Sequence, residues 1–353
     1  MITGEVVAMK IILRPDAGPE AGLGHLGRSL ALGRALKQKG AQVTVVSHND
    51  ASTREFIAKS GFNFIPLRES LAPCGQVTGI EGDLVADADI VIIDSYKVTD
   101  ESLEQIAARN KFLVIIDDLG KQYPGAQIVI TSRTTPPFPY RQGVWPLYLC
   151  SPRYALLREE FADPPLRHTE ICRNVLLTMG GSDPFSLTTL LSEALLEGLS
   201  SEIKVNVVLG PFFASDDTIA ALAAQSGGRL VVHRSPFSMR QLMAKADLAV
   251  SAGGQTLLEL AAMGIPAVVV QVAENQAENI RYFVNAGSTV FAGRAREQDI
   301  QVKVAKLITE LASDIGLREK MSLCGQRTVD GKGASRAAEK IFALFGEFYG
   351  DDV

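Results

Sequence analysis

The sequence predicts an α/β protein made of two doubly wound parallel-sheet domains facing a cleft. Three observations carry that expectation. Short β-rich runs alternate with amphipathic helical patterns along nearly the whole chain, the rhythm of repeated strand–helix–strand units. The runs Ile90–Ile93 and Val114–Ile116 are continuously apolar, as strands covered on both faces of a parallel sheet must be. The alternation breaks once, in a segment rich in proline and aromatic residues, and then restarts.

In the first series, strands are expected at 10–14, 42–47, 63–66, 89–94, 112–117 and 127–130, with helices near 25–39, 51–60 and 100–109. Residues 1–8 precede the first strand as an extension or an alternative start. Pro136, Pro137, Pro139, Pro146 and Pro152, with Tyr140, Trp145 and Tyr148 among them, then interrupt the pattern, and 154–170 is charged and holds Pro164 and Pro165. In the second series, strands are expected at 174–179, 204–209, 230–233, 247–251, 266–271 and 288–291. Helices belong near 187–198, 216–225, 238–245, 255–263, 275–286, 297–313 and 316–326, and a last one at about 335–348. The domains are therefore expected at 1–153 and 171–334, with a connector at 154–170 and a C-terminal helix and tail at 335–353. Two domains suit a chain of 353 residues.

Composition excludes several classes. Lys and Arg number 35 against 40 Asp and Glu, a net charge of −5, so no basic field attracts nucleic acid. Cys74, Cys150, Cys172 and Cys324 stand far apart with no C-x-x-C pair, which speaks against a zinc site or disulfide framework and for reduced thiols. No apolar run approaches the roughly 18 residues of a membrane span, and the N-terminus carries Glu5 rather than the basic start of a signal peptide. The expectation is a cytoplasmic protein without membrane insertion, with a charge compatible with a monomer.

The first candidate site follows the first strand. Gly22-x-Gly24-x-x-Gly27 satisfies the dinucleotide-binding fingerprint by letter, and Asp50 stands near the spacing of a ribose-binding acid. A fingerprint turn is tight, however, whereas seven residues separate Arg14 from Gly22. A loop of that length suits side chains carried into a cleft. His25 falls at the helix start, where the dipole disfavours the imidazolium and leaves a neutral ring able to accept a proton. Arg28, three residues on, faces the same side. The plainer alternative is a helix cap at His25 and a surface ion pair between Arg14 and Asp16. Asp117-Asp118, at a strand end, is a cleft candidate or a solvated turn.

The second half holds two glycine-rich turns. Met179-Gly180-Gly181-Ser182-Asp183 exposes backbone N–H groups and a hydroxyl suited to an anion. Gly253-Gly254-Gln255-Thr256 enters a helix whose N–H groups suit a diphosphate. Glu259, flanked by Leu257, Leu258 and Leu260, can accept two hydrogen bonds from a ribose diol. Asn275 and Gln276 can bond sugar hydroxyls or phosphate, unless Asn275 is a simple helix cap.

The ordered set Gly253-Gly254-x-x-x-x-Glu259, Gly264-x-Pro266 and Asn275-Gln276 resembles the nucleotide-binding half of glycosyltransferases of the GT-B fold, especially the MurG-like inverting enzymes that use UDP-N-acetylglucosamine. Arg14-x-Asp16, Gly22-x-Gly24-His25-x-x-Arg28, Asp94-Ser95-Tyr96, Tyr154-Ala-Leu-Leu-Arg158-Glu-Glu-Phe161 and Met179–Asp183 further resemble the PseG family. Its members are UDP-2,4-diacetamido-2,4,6-trideoxy-β-L-altropyranose hydrolases of pseudaminic acid biosynthesis. The resemblance runs over about residues 9–290; 71–83 and 295–353 carry none of its motifs.

It implies a GT-B enzyme that hydrolyses a UDP-sugar at the anomeric carbon with inversion, releasing UDP and the free sugar. His25 would activate or position water, with Tyr96 and Asp94 beside the sugar. Substrate contacts are expected from Arg14, Asp16, Gly24, Arg28, Gly181, Ser182, Gly253, Gly254, Gln255, Thr256, Glu259, Asn275 and Gln276. UDP leaves readily, so the paired carboxylates of ordinary glycosidases are not required, and backbone N–H groups can absorb the charge developing on the phosphate. Asp87-Ala-Asp89 precedes a buried strand rather than ending one and reads as structural, so neither a metal nor a cofactor is expected. A transferase on the same scaffold is the main rival; the N-terminal half shows no basic amphipathic helix for a membrane acceptor, though Phe138, Tyr140 and Trp145 could form an apolar rim. A binding protein or an oxidoreductase are further alternatives.

Overall fold

The computed structural model describes residues 8–18, 21–67, 82–109, 111–133, 146–164, 170–181, 183–213, 217–236 and 238–349. Ser182, Cys74 and the aromatic trio Phe138, Tyr140 and Trp145 lie outside the described residues. The chain divides into two units, Met1–Glu159 with Lys332–Val353, and Glu160–Gly331.

The first unit holds strands β1 (Lys10–Pro15), β2 (Gln42–Ser47), β3 (Asn63–Pro66), β4 (Ile90–Asp94), β5 (Phe112–Ile116), β6 (Ile128–Thr131) and β7 (Leu147–Cys150). They form one parallel sheet in the order β3-β2-β1-β4-β5-β6-β7. Helices α1 (Gly24–Gln38), α2 (Ala51–Ser60), α3 (Gly82–Asp87) and α4 (Asp100–Ala107) connect the first strands. Alternate residues of β1 serve opposite faces: Ile11 and Leu13 pack with α1, and Ile12 packs with Leu103 and Ile106 of α4. The sequence pattern misses α3 and β7. The β7 run is four residues between Pro146 and Pro152, too short to show a period, and prolines are tolerated there because β7 is an edge strand.

The second unit repeats the plan with β8 (Asn174–Thr178), β9 (Lys204–Leu209), β10 (Leu230–Arg234), β11 (Leu248–Ala252), β12 (Ala267–Gln271) and β13 (Thr289–Arg294). Their parallel order is β10-β9-β8-β11-β12-β13. The helices are α5 (Leu187–Gly198), α6 (Asp217–Gln225), α7 (Met239–Met243), α8 (Gln255–Ala262), α9 (Ala277–Asn285), α10 (Ile300–Ser313) and α11 (Ile315–Thr328). Buried Arg318 of α11 donates to the carbonyls of Leu311 and Ala312, closing the C-terminal end of α10.

The expected C-terminal tail is a structural part of the first unit. Helix α12 (Gly333–Tyr349) presents Ala334, Ala337, Ala338, Ile341 and Phe345 on one face, and that face joins the core beneath α1. The division therefore falls at Glu159/Glu160 and at Gly331/Lys332 rather than at a separate connector and tail. No helix among the described residues is long and apolar enough to cross a membrane.

In each sheet the strand order reverses beside its first strand, at β1/β4 and at β8/β11. The carboxyl ends of strands at such a reversal are where open α/β sheets take ligands. Both candidate sites of the sequence lie at these two points.

Candidate functional site

At the first reversal, Arg14 is the next-to-last residue of β1 and Asp94 closes β4, and the backbone N–H of Asp16 donates to the carbonyl of Asp94 at 2.8 Å. The chain then loops to α1 through Gly18 (φ +110°) and Gly22 (φ +73°), where Gly22 N–H donates to Gly18 O. These left-handed positions explain two of the glycines. A Cβ on Gly24 or Gly27 would meet nothing within 4 Å, whereas one on Gly33 would sit 2.6 Å from Leu13 and 3.0 Å from Phe62. Close helix–strand approach, the task of the third fingerprint glycine, thus falls to Gly33. Asp50 is the N-cap of α2, accepting from Thr53 N–H at 3.0 Å and its hydroxyl at 2.5 Å.

His25 is buried in the first turn of α1 and caps nothing: α1 starts without a side-chain cap. Its Nδ1 lies 2.6 Å from Asp94 Oδ1. At that distance a bare nitrogen would repel the carboxylate, so Nδ1 carries a proton toward Asp94, with Arg28 Nη2 also 3.1 Å from Nδ1. No described residue engages Nε2. Arg28 grips the same carboxylate through both oxygens, Nε to Oδ2 at 2.7 Å and Nη2 to Oδ1 at 2.6 Å, and Ser29 adds its hydroxyl at 3.1 Å. Burial alone would push Asp94 up, but Arg28 and His25 outweigh it and hold the carboxyl far below its usual range. Burial likewise opposes the Arg28 cation, yet Asp118 and Asp94 raise its pKa well above the ordinary arginine value.

Two more groups complete the cluster. Asp118 Oδ2 accepts from Arg28 Nη1 at 2.6 Å and from the Tyr96 hydroxyl at 2.9 Å, so it belongs to the site rather than to a solvated turn. Tyr96, 41 % exposed, sets its ring edge-on to His25 at 4.5 Å between centroids. Asp117, next to Asp118 in sequence, instead holds the following turn through Leu119 and Gly120 N–H and the Tyr123 hydroxyl.

The contacts of Arg14 and Asp16 bear on both sequence expectations. They are not a surface pair, being 1 % and 2 % exposed. Nor do their contacts leave Asp16 open to substrate: its Oδ1 takes Arg14, and its Oδ2 accepts from Ser95 Oγ at 2.9 Å and Tyr96 N–H at 3.1 Å. The Asp-x-Asp pair is structural, with Asp87 bound to the Lys10 ammonium at 2.8 Å and Asp89 accepting Lys10 N–H at 2.7 Å. No cluster of three or more metal-binding side chains occurs among the described residues.

At the second reversal, Gly180 (φ +97°) and Gly181 follow β8, with Phe212 N–H donating to Gly181 O at 3.1 Å. Gly210, at the end of β9, is a glycine because a Cβ would overlap the Gly180 and Gly181 carbonyls. Asp183 accepts from Leu187 N–H at 3.0 Å and Thr188 N–H at 2.6 Å, so it caps α5.

Gly253 is clamped by two amides. Its N–H donates to Gln276 Oε1 at 3.2 Å, which also accepts Val272 N–H at 3.0 Å, and its carbonyl accepts from Asn279 Nδ2 at 2.7 Å. The expected anion donor at Gly253 is therefore already engaged, and the Gln276 carbonyl is used on the backbone. A Cβ on Gly253 would overlap Ile280, whereas one on Gly254 would meet only Gln276 Nε2 at 3.8 Å. The helix-start N–H groups of Gly254, Gln255 and Thr256 remain the geometry suited to an anion, with Glu259 half-buried one turn on. Asn275 is exposed and sits inside the turn Glu274–Gln276; the N-cap of that turn is Ala273 and that of α9 is Gln276. Asn279 escaped the sequence reading, although it lies three residues from Gln276 on the same helical face.

This geometry separates two substitutions. Gly253→Ala is expected to destabilise the second unit by about 1–3 kcal/mol through overpacking against Ile280. Gly254→Ala is expected to leave stability unchanged, since its Cβ would meet only Gln276 Nε2 at 3.8 Å, and to weaken nucleoside-diphosphate binding if the start of α8 holds the phosphate. Urea denaturation and UDP titration of both variants check the contrast.

Residues 175–335 match the family model described as glycosyltransferase family 28 C-terminal domain. The chain is 27 % identical over 285 residues to the uncharacterized protein MJ1062 of Methanocaldococcus jannaschii, covering 76 % of this chain but only 57 % of that protein's length. It is 24 % identical to the spore coat polysaccharide biosynthesis protein SpsG of Bacillus subtilis, over 98 % of this chain and all of SpsG. Among solved structures it resembles Acinetobacter baumannii MurG, with a TM-score of 0.67 at 15 % identity, covering 95 % of this chain and 99 % of MurG. It also resembles LpCGTa, solved in complex with UDP, with a TM-score of 0.66 at 15 % identity over 97 % of this chain and 99 % of that one. The fold is the two-sheet GT-B fold of these enzymes, and the second unit is glycosyltransferase-like in sequence.

Proposed function

We propose that this protein hydrolyses a UDP-sugar at its anomeric carbon, with UDP-2,4-diacetamido-2,4,6-trideoxy-β-L-altropyranose as the substrate. The carrying observation is the buried Asp94–His25 pair at the β1/β4 reversal, whose Nε2 is unengaged among the described residues. That pair is a base held in one tautomer. His25 Nε2 takes a proton from water as the oxygen attacks the anomeric carbon, and the bond from that carbon to the β-phosphate oxygen breaks with inversion. The second unit takes UDP, with the N–H groups at the start of α8 receiving the phosphate charge and Glu259 the ribose diol. Support comes from the motif resemblance, from the glycosyltransferase family 28 match over the second unit and from a UDP-bound structure of the same fold.

The family 28 match also favours a second reading, an inverting transferase in which the same base deprotonates an acceptor hydroxyl. Incubating the purified protein with the UDP-sugar in ¹⁸O water, with EDTA and without acceptor, separates them. UDP release with label on the sugar is the expected result. No release from a protein that still binds UDP would favour the transferase.

A further inference from the structure

We infer that Asp16, neutralised by Arg14, is a positioning residue that holds Asp94 and Tyr96 against His25; the inference rests on the reading of His25 as the base. Asp16 touches neither the imidazole nor solvent. It joins the end of β1 to the turn after β4 at three points: its N–H on Asp94 O, and its carboxylate on the Ser95 hydroxyl and on Tyr96 N–H. That turn carries both groups that meet His25, the Asp94 carboxylate on Nδ1 and the Tyr96 ring on its side. Any shift of the turn moves both at once.

The pair is a poor device for stability. Among the described residues Arg14 makes one ion-pair contact, to Asp16, and its buried Nε and Nη2 have no partner. Buried donors left unsatisfied cost free energy, and a buried ion pair is commonly matched or bettered by apolar residues of similar size. Such a cost, at the strand ends where ligands bind, is the mark of a site arranged for function rather than for folding.

Two double variants of the full chain test this. Arg14→Met/Asp16→Leu removes the hydrogen bonds to the turn. It is expected to fold with an equal or higher Tm, to bind UDP with unchanged Kd, and to lose about 10²-fold in kcat, the scale of a small misplacement of reacting groups. Arg14→Gln/Asp16→Asn keeps an acceptor for Ser95 and Tyr96 without charge and is expected to retain kcat within about fivefold, since a neutral acceptor still makes both bonds to the turn. Long-range ¹H–¹⁵N spectra of the histidines, with His25 assigned by substitution, are expected to show its ring signals displaced only in the apolar variant. An apolar variant that fails to fold, keeps full kcat, or leaves the His25 signals in place overturns the inference, as does a Gln/Asn variant as slow as the apolar one. If the wild type releases UDP from no UDP-sugar, the hydrolase reading fails by itself, and the His25 spectra still decide the positioning role.

Discussion

His25→Ala is expected to slow UDP release by about 10²–10⁴-fold while leaving UDP affinity unchanged, the range for removing a general base. The asymmetry follows from where the two tasks lie. The proposed base stands at the β1/β4 reversal of the first unit, and the proposed nucleotide site is the start of α8 in the second. Removing the ring leaves Asp94 with the Arg28 fork and the Ser29 hydroxyl, so the buried carboxylate remains satisfied and the fold survives. Steady-state rates and isothermal titration with UDP provide the check. A collapse of UDP binding together with activity would make His25 a structural residue.

What was legible in the sequence follows physical rules of reach. Strands β4 and β5 announce themselves because both faces are covered, which forces unbroken apolar runs. The docking of α12 beneath α1 is invisible because its partner lies some three hundred residues away in sequence and nothing local encodes that pairing. The candidates Arg14, Asp16, His25 and Arg28 were identifiable by type and position, and Asp94 and Tyr96 through the motif resemblance; the structure brings all six together. Their division of labour was not legible, since Asp16 looks like a ligand contact until both its oxygens are found occupied. Gly253 shows the same limit. A glycine needed for an anion and one needed for Ile280 are written with the same letter.

Asp94→Asn is expected to be at least as damaging to activity as loss of His25, for a different reason. An amide facing Nδ1 can donate to it, and the imidazole then places its proton on Nε2, the atom that must accept one. Loss of a tautomer-fixing carboxylate in this way costs about 10⁴-fold in a well-studied triad. Stability falls too. Arg28 keeps Asp118 but loses its two-oxygen partner, and breaking one side of a buried pair costs about 3–5 kcal/mol, with Asp118 placing the expectation at the low end. The pH dependence gives a separate signature. Because the folded-state carboxyl is held far below its unfolded value, its stabilisation is fully present above about pH 5 and is lost progressively as the pH falls toward the folded value. Wild-type protein should therefore lose stability through that acid window, and the Asn variant should lose less there from an already lower baseline. Urea denaturation at stepped pH reads this out. An Asn variant that keeps wild-type turnover, or whose acid profile parallels the wild type, would separate Asp94 from His25 and with it remove the base from the proposed hydrolysis.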